Sequence, residues 1–393
     1  MQRTADDKLL LILGLAVFVA MLGVGSIVPF LSIYGQRLGA SGALIGLIFS
    51  AFSFSRGLFA PLVGLVSDRV GRKLFIALGL AGNVGAAVAL LFAQSAWDLL
   101  FCRMAQGVFA AMILPVCLAL VADLTPAGQE GRYVGGFNTA FLLGFGLGPF
   151  LGGVVYDVWD MAGNLYLMGG FSLLALAAVW LGVREPRGGR GKIGGASHGM
   201  RLYADRAFVG LMLARVGMAA GMGCFIAFLP LLAVEKGLAQ AQVGTLLGLN
   251  VIVMVAVQRP GGALADRWPR LPLALAGLVA SGACKAALPL CDGFWQMAGA
   301  ALLEGLGSGL GLPPLMALVI GRGKDLGVEM GATMGAFTLA LSLGVFAGPP
   351  VGGWLADQAG QAGPLYFAGA VTIVGALAMA ALTGSARVGL GRS

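Results

Sequence analysis

Long apolar runs alternate along the chain with short polar breaks. Runs of mostly apolar residues fall at about 8–34, 44–66, 74–94, 98–122, 133–157, 162–183, 207–234, 242–264, 271–291, 295–320, 330–356 and 364–385. About twenty such residues cross a bilayer as a helix, so the pattern predicts an all-α membrane protein with twelve transmembrane helices. The short alternating segments of a membrane β-barrel are absent. The one long polar stretch, VREPRGGRGKIGGASHGMRLYADR (183–206), has no apolar periodicity and reads as a linker. The expected organisation is a six-helix bundle over 1–183, a cytoplasmic linker over 184–206 and a second six-helix bundle over 207–393.

The polar breaks carry a topology signal. With the N-terminus inside, the inner loops hold Arg69, Arg72, Lys73, Arg132, Arg184, Arg187, Arg190, Lys192, Arg201, Arg206, Arg267, Arg270, Arg322 and Lys324. The outer loops hold Arg37 and Lys236. Positive residues mark the cytoplasmic side, so both termini are expected there, in the cell (inner) membrane. MQRTADDK and the apolar run after it read as a first span rather than a cleaved leader.

The pattern also repeats. GLVSDRVGR (64–72) returns as GALADRWPR (262–270), and GFGLGPFLGG (144–153) returns as GVFAGPPVGG (344–353). Pro29, Pro115 and Asp157 recur as Pro230, Pro313 and Asp357. All these offsets lie between 198 and 201 residues, so the halves are homologous and parallel, an architecture known among transporters.

Composition agrees. Of 393 residues 59% are hydrophobic and 11% charged, with a mean hydropathy of +0.92; only lipid can solvate that surface. The 66 glycines suit closely packed membrane helices. The net charge of +8 sits in the loops and is read as topology, not as a nucleic-acid surface. Cys102, Cys117, Cys224, Cys284 and Cys291 have no metal spacing, and the single histidine, His198, lies in the linker, so no metal site is expected. No nucleotide loop or catalytic triad occurs; neither an enzyme nor a cofactor is expected.

GLVSDRVGRK (64–73) resembles the signature loop of the major facilitator superfamily at Gly64, Asp68, Arg69, Gly71, Arg72 and Lys73. From the residues themselves, Gly64 is expected to let two helices meet, and Asp68 to accept from a neighbouring helix N-terminus. Gly71 permits a tight turn, and Arg72 is within reach of Asp123 or Glu130. The resemblance implies a cytoplasmic gate on these residues, alongside their plain topological role. Gly262, Asp266 and Arg267 keep part of it in the second half, where Pro269 replaces the second glycine.

Arg103, Gln106 and Gly107 resemble a second family motif, R-x-x-Q-G. In the drug:proton antiporters of the family this arginine is linked to proton coupling; the plainer alternative is an arginine satisfied by backbone carbonyls. GFGLGPFLGG resembles the fifth-span motif of the same twelve-span antiporter branch at Gly144, Gly148, Pro149, Gly152 and Gly153. These residues form a packing strip with a tolerated kink, repeated at Gly344, Gly348, Pro349, Gly352 and Gly353. The repetition makes the strip stronger evidence for the fold than for the direction of transport.

Charges inside the spans supply the candidate chemistry. Glu304 is the acid placed deep in a span, at the position matching Gln106. It is the candidate proton carrier, or else one member of an ion pair with Arg103 or Lys285. Arg56, Arg103, Arg215 and Lys285 give a positive excess, with Arg215 and Lys285 near enough to span ends to snorkel. Span one has no acid, which sets the chain apart from exporters of lipophilic cations. Asn138, with Phe141 and Phe145 on its face of span five, is a candidate pathway residue. The expected function is proton-coupled efflux of a small organic molecule, drug or metabolite, by alternating access. The expected partners are the substrate, protons and the lipid bilayer, with no nucleic acid and a monomeric state. The alternatives are proton-coupled uptake of an organic anion, and a sensor or scaffold without transport.

Overall fold

The computed structural model describes residues 2–125, 130–183 and 200–384. The linker residues 184–199 lie outside them. Among the described residues the chain is helical and without strands, as the apolar pattern requires. Eleven helices are long and apolar enough to cross a membrane. One of them, Tyr133–Gly182, holds two spans joined without a loop. Its backbone leaves helical geometry at Asp160 (φ 57°), where the sequence predicts a break. The twelve expected spans are therefore present. They are α1 Leu9–Arg37, α2 Gly42–Val70, α3 Arg72–Leu91, α4 Ala96–Asp123, α5 (133–159) and α6 (161–182). The second set is α7 Arg206–Glu235, α8 Gln240–Arg267, α9 Arg270–Leu290, α10 Phe294–Asp325, α11 Met330–Ala359 and α12 Gly363–Thr383.

By contacts the described chain divides into two units. One gathers the residues through 183 with Pro230–Ile252; the other gathers those from 200 to Leu229 and from Val253 onward.

The first unit is held by glycine-mediated crossings. A Cβ at Gly148 would lie 2.6 Å from the Cα of Gly25, and one at Gly152 would lie 2.8 Å from the Cα of Ser26. With Gly144 against Phe18, these bring the backbones of α1 and α5 together. α1 also meets α6 at Gly23 and Met168, α2 meets α4 at Gly107, α3 meets α4 at Gly79, and α3 meets α6 at Gly169 and Ala87. The second unit repeats this map. Gly344, Gly348 and Gly352 of α11 meet Ala219, Ala220 and Cys224 of α7. α7 meets α12 at Gly217, α8 meets α10 at Gly309, α9 meets α10 at Gly277, and α9 meets α12 at Gly282. Five crossings with the same order of partners are what a duplicated six-helix sequence should give.

Lipid-facing positions are apolar, with Leu181, Phe92 and Leu174 well exposed. All six tryptophans (Trp97, Trp159, Trp180, Trp268, Trp295, Trp354) are exposed and lie near span ends, where amphipathic rings sit at a bilayer surface.

A test follows from the crossings. Gly148→Val and Gly348→Val should each cost about 1–3 kcal/mol by overpacking, read as a lowered melting temperature of the detergent-solubilised protein. Gly64→Ala serves as the control, because a Cβ there has no atom within 4 Å, and should leave the melting temperature unchanged. Equal losses at all three positions would contradict the crossings.

Candidate functional site

The turn between α2 and α3 is built around Gly71, whose φ of 126° suits glycine. The turn brings Arg72, 7% exposed, back beneath α2. Arg72 donates to Asp68 Oδ1 from Nε (3.3 Å) and Nη2 (3.0 Å), and pairs with Asp123 at the end of α4. Of the two acids the sequence offered Arg72, Asp123 is a partner; the side chain of Glu130 lies outside the described residues. Lys73 donates to the carbonyl of Trp180 (2.7 Å) and lies over its ring, tying α3 to α6. Arg69 is exposed. Two expectations change here. Asp68 accepts from the Arg72 guanidinium, four residues on, which is nearer to hand than a helix terminus. Among the described residues nothing lies within 4 Å of a Cβ added at Gly64, so no neighbouring helix meets it there, and the same holds for Gly262. In the second unit Asp266 only approaches Arg270, at 4.0 Å and in an exposed setting, while Arg267 is exposed.

The second unit has a pair that no sequence motif marks. Arg322 near the end of α10 donates from Nε (2.9 Å) and Nη2 (2.5 Å) to the two carboxylate oxygens of Asp205. Asp205 also caps α7 by accepting from the amide of Phe208 (2.7 Å). The N-cap position of an aspartate before an apolar run was the legible signal; its distant arginine was not.

Glu304 is buried in α10 and pairs with Lys285 of α9. Its Oε1 also accepts from Ser308 (2.7 Å) and Ser281 (2.9 Å), and Lys285 donates to Ser281 (2.6 Å). Of the two pairings left open by the sequence, this is the Lys285 one. Lys285 is 1% exposed and so does not snorkel. Arg215 does not either; it is buried against the ring of Phe337 (4.5 Å) and the sulfur of Met218 (3.7 Å). Their helices place both side chains toward neighbouring helices, and a serine pair and an aromatic ring give them footing there.

Arg103 of α4 is also buried. It donates to Gln106 Oε1 (2.5 Å) and lies over the ring of Phe52 (4.3 Å). Arg56 lies over the same ring at 5.4 Å. Among the described residues no carboxylate forms an ion pair with Arg56, Arg103 or Arg215. Asn138 is exposed on α5 and is not brought to this cluster.

At the other end of α5 a further group went unread in the sequence. Asp157 accepts from the first amides of α8, Gln240 (3.1 Å) and Ala241 (3.0 Å), and Arg37 chelates Asp160 with both contacts at 2.7 Å. The recurrence of Asp157 as Asp357 was the available clue.

A duplicated pattern of glycine-packed helix crossings, with charge clusters at the helix ends and a few buried charges, fits a transporter architecture. The Major Facilitator Superfamily model matches residues 13–208 and 211–389, and the chain belongs to that family. It is 28% identical over 375 residues to an uncharacterised MFS-type transporter of Methanocaldococcus jannaschii, covering 94% of this chain and 96% of that one. It is also 28% identical over 181 residues to the quinolone resistance protein NorA of Staphylococcus aureus, covering 46% of each. A bacterial homologue of the human lysosomal transporter Spinster matches in structure with a TM-score of 0.76 at 17% identity, covering 97% of this chain and 94% of the other. The protein is an integral membrane transporter of the major facilitator fold.

The Asp205–Arg322 pair makes a pH prediction. The Arg322 guanidinium holds the Asp205 carboxyl below its ordinary value, and the amides of Phe208 and Ala207 add to this. A depressed carboxyl stabilises the fold above the unfolded pKa of about 3.9 and loses that contribution as pH falls through the folded value. The melting temperature should therefore fall below about pH 4, and less steeply in Asp205→Asn, which starts lower at neutral pH. Parallel pH profiles for the two proteins would remove the pair as a source of stability.

Proposed function

We propose that the protein exports a small organic molecule in exchange for protons by alternating access. It works as a monomer in the cell membrane, with both termini cytoplasmic, and Glu304 is the proton carrier. The observation that carries this reading is the buried network of Glu304, Lys285, Ser281 and Ser308 between α9 and α10. Protonating Glu304 would leave the Lys285 ammonium buried without a counter-charge, which is costly unless the surroundings rearrange. A carboxyl whose protonation demands rearrangement is a means of coupling. The likeness to NorA, across 46% of each chain, supports export, as does the fifth-span motif. The positive residues around the α2–α3 turn support its placement on the cytoplasmic side. There Arg72 joins Asp68 and Asp123 in a cluster that one state of the cycle would keep and another would break.

Everted vesicles with an imposed pH gradient test the reading. Adding an exported compound from a broad panel should release protons and dequench a pH-sensitive dye. No response to any compound would remove the antiport. Glu304→Gln should abolish gradient-driven transport and spare substrate exchange; driven transport that survives this change would show that Glu304 is not the carrier.

Asp68→Asn should slow turnover and leave substrate affinity unchanged, because it loosens the hold on Arg72. A selective loss of binding would contradict the gate. A second reading, proton-coupled uptake of an organic anion, is favoured by the guanidiniums without carboxylate partners. The sign of the dye response separates the two.

A further inference from the structure

The cluster around Phe52 has a charge problem that the rest of the first unit does not solve. Phe52 lies on α2, and the guanidinium carbons of Arg56 and Arg103 lie 5.4 and 4.3 Å from its ring centroid. The two like charges thus sit within about 10 Å of one another, where a low-dielectric interior screens them poorly. Arg103 is 4% exposed, its Nη1 is held by Gln106, and its Nε has no hydrogen-bond partner among the described residues. Phe49 is a further ring beside it, at 6.0 Å. Arg56 and Phe52 are only partly buried, so the cluster is open on one side.

Cations within spans are costly and are usually paired. In the second unit Lys285 is paired, with Glu304. Around Phe52 no acid plays that part among the described residues. The second unit also lacks the cluster itself: the positions matching Arg56 and Arg103 are Met254 and Ala301. The two arginines are therefore not a requirement of the repeated scaffold.

We propose that Arg56 and Arg103 form an anion-binding site whose ligand is an organic anion: a carboxylate, sulfonate or phosphate ester on an apolar body. The Nε edge of Arg103 donates to an anionic oxygen, and Gln106 fixes the guanidinium plane for that contact. Arg56 supplies the second charge from the open side, and Phe49 and Phe52 offer an apolar wall. Naming this ligand the cargo rests on the transport reading above; binding itself does not.

The experiment is equilibrium binding of radiolabelled naphthoate to the purified full-length protein in uncharged detergent, with no gradient and no transport. Naphthoate should bind at least about tenfold more tightly than naphthamide, as expected for a charge-assisted contact. Arg103→Gln and Arg56→Gln should each remove most of that preference for the acid over the amide. Arg103→Lys, which keeps the charge and loses the fork, should retain part of it and covers the case in which the glutamine variant does not fold.

Equal affinity for the acid and the amide would overturn the site, as would a preference that survives undiminished in Arg56→Gln and in either Arg103 variant. Failure of naphthoate, naphthyl phosphate and naphthalenesulfonate to bind at millimolar concentration would overturn it too. A lipid headgroup offers the same chemistry, so phosphatidylglycerol is added as competitor. Displacement of naphthoate by the lipid and by no soluble anion would reassign the site to lipid and overturn the cargo assignment. If the vesicles show no proton response while naphthoate still binds through the arginines, antiport fails and the anion site stands. If export proceeds and the acid is not preferred, the anion site fails alone.

Discussion

Backbone-to-backbone contact between α1 and α5, and between α7 and α11, is the constraint from which most of the architecture follows. In hydrocarbon no hydrophobic force draws two helices together, since lipid tails are as apolar as leucine. Association depends on close packing and on polar contacts that only close packing allows. Gly144, Gly148 and Gly152 remove the side chains that would keep α5 from α1, and the carbonyls of Phe18, Leu22 and Ser26 come close enough to fill the space. Pro149 sits inside this strip, so the kink falls where a neighbour is already in place. With α1 and α5 fixed, α6 follows through the joint at Asp160, and α3 is held by α6 and α4.

Charge placement is a second layer on that frame. At the helix ends ion pairs are partly exposed and link elements distant in sequence, as Arg72 does with Asp123 and Arg322 with Asp205. Exposed pairs of this kind add little stability in general. Arg72 is an exception in being almost fully buried, with carboxylates on two helices. Breaking it would leave a buried cation, which is a large cost. A contact of that kind suits a state that is either held or given up, and is less suited to gradual adjustment.

The fold was legible because lipid imposes simple rules. Span length, the placement of positive loops and the 198-residue repeat each reflect a local property of the chain. The break between α5 and α6 was legible in the apolar pattern, but its loop-free form was not, because a single residue at positive φ leaves no hydrophobic signature of its own. The clusters were legible only in part. Arg72 could be matched to Asp123 because both sit at span ends on one side of the membrane. Whether Lys285 would snorkel depended on the rotation of α9, which composition does not encode; Ser281, one turn back, was the hint that a polar patch waited inside. Asp205 and Arg322 lie 117 residues apart, and no sequence periodicity joins them. Gly64 was misread for the opposite reason: its motif was recognised, but a motif does not say which neighbour is present.

The halves share their packing and differ in their buried chemistry. Gln106 and Glu304 occupy matching positions, as do Asn83 and Ser281, and Ala87 and Lys285. In the first unit the amide of Gln106 orients an arginine, and among the described residues no carboxylate pairs with it. In the second the carboxylate of Glu304 neutralises a lysine, and two serines complete the set. Had the duplication served stability alone, both copies would gain from apolar residues at these sites, because buried ion pairs seldom outperform well-packed hydrocarbon. The polar residues are kept in different forms in the two copies, one neutral in sum and one positive. The shared helix crossings are thus the scaffold, and the buried charges at these matching positions are where the two copies differ.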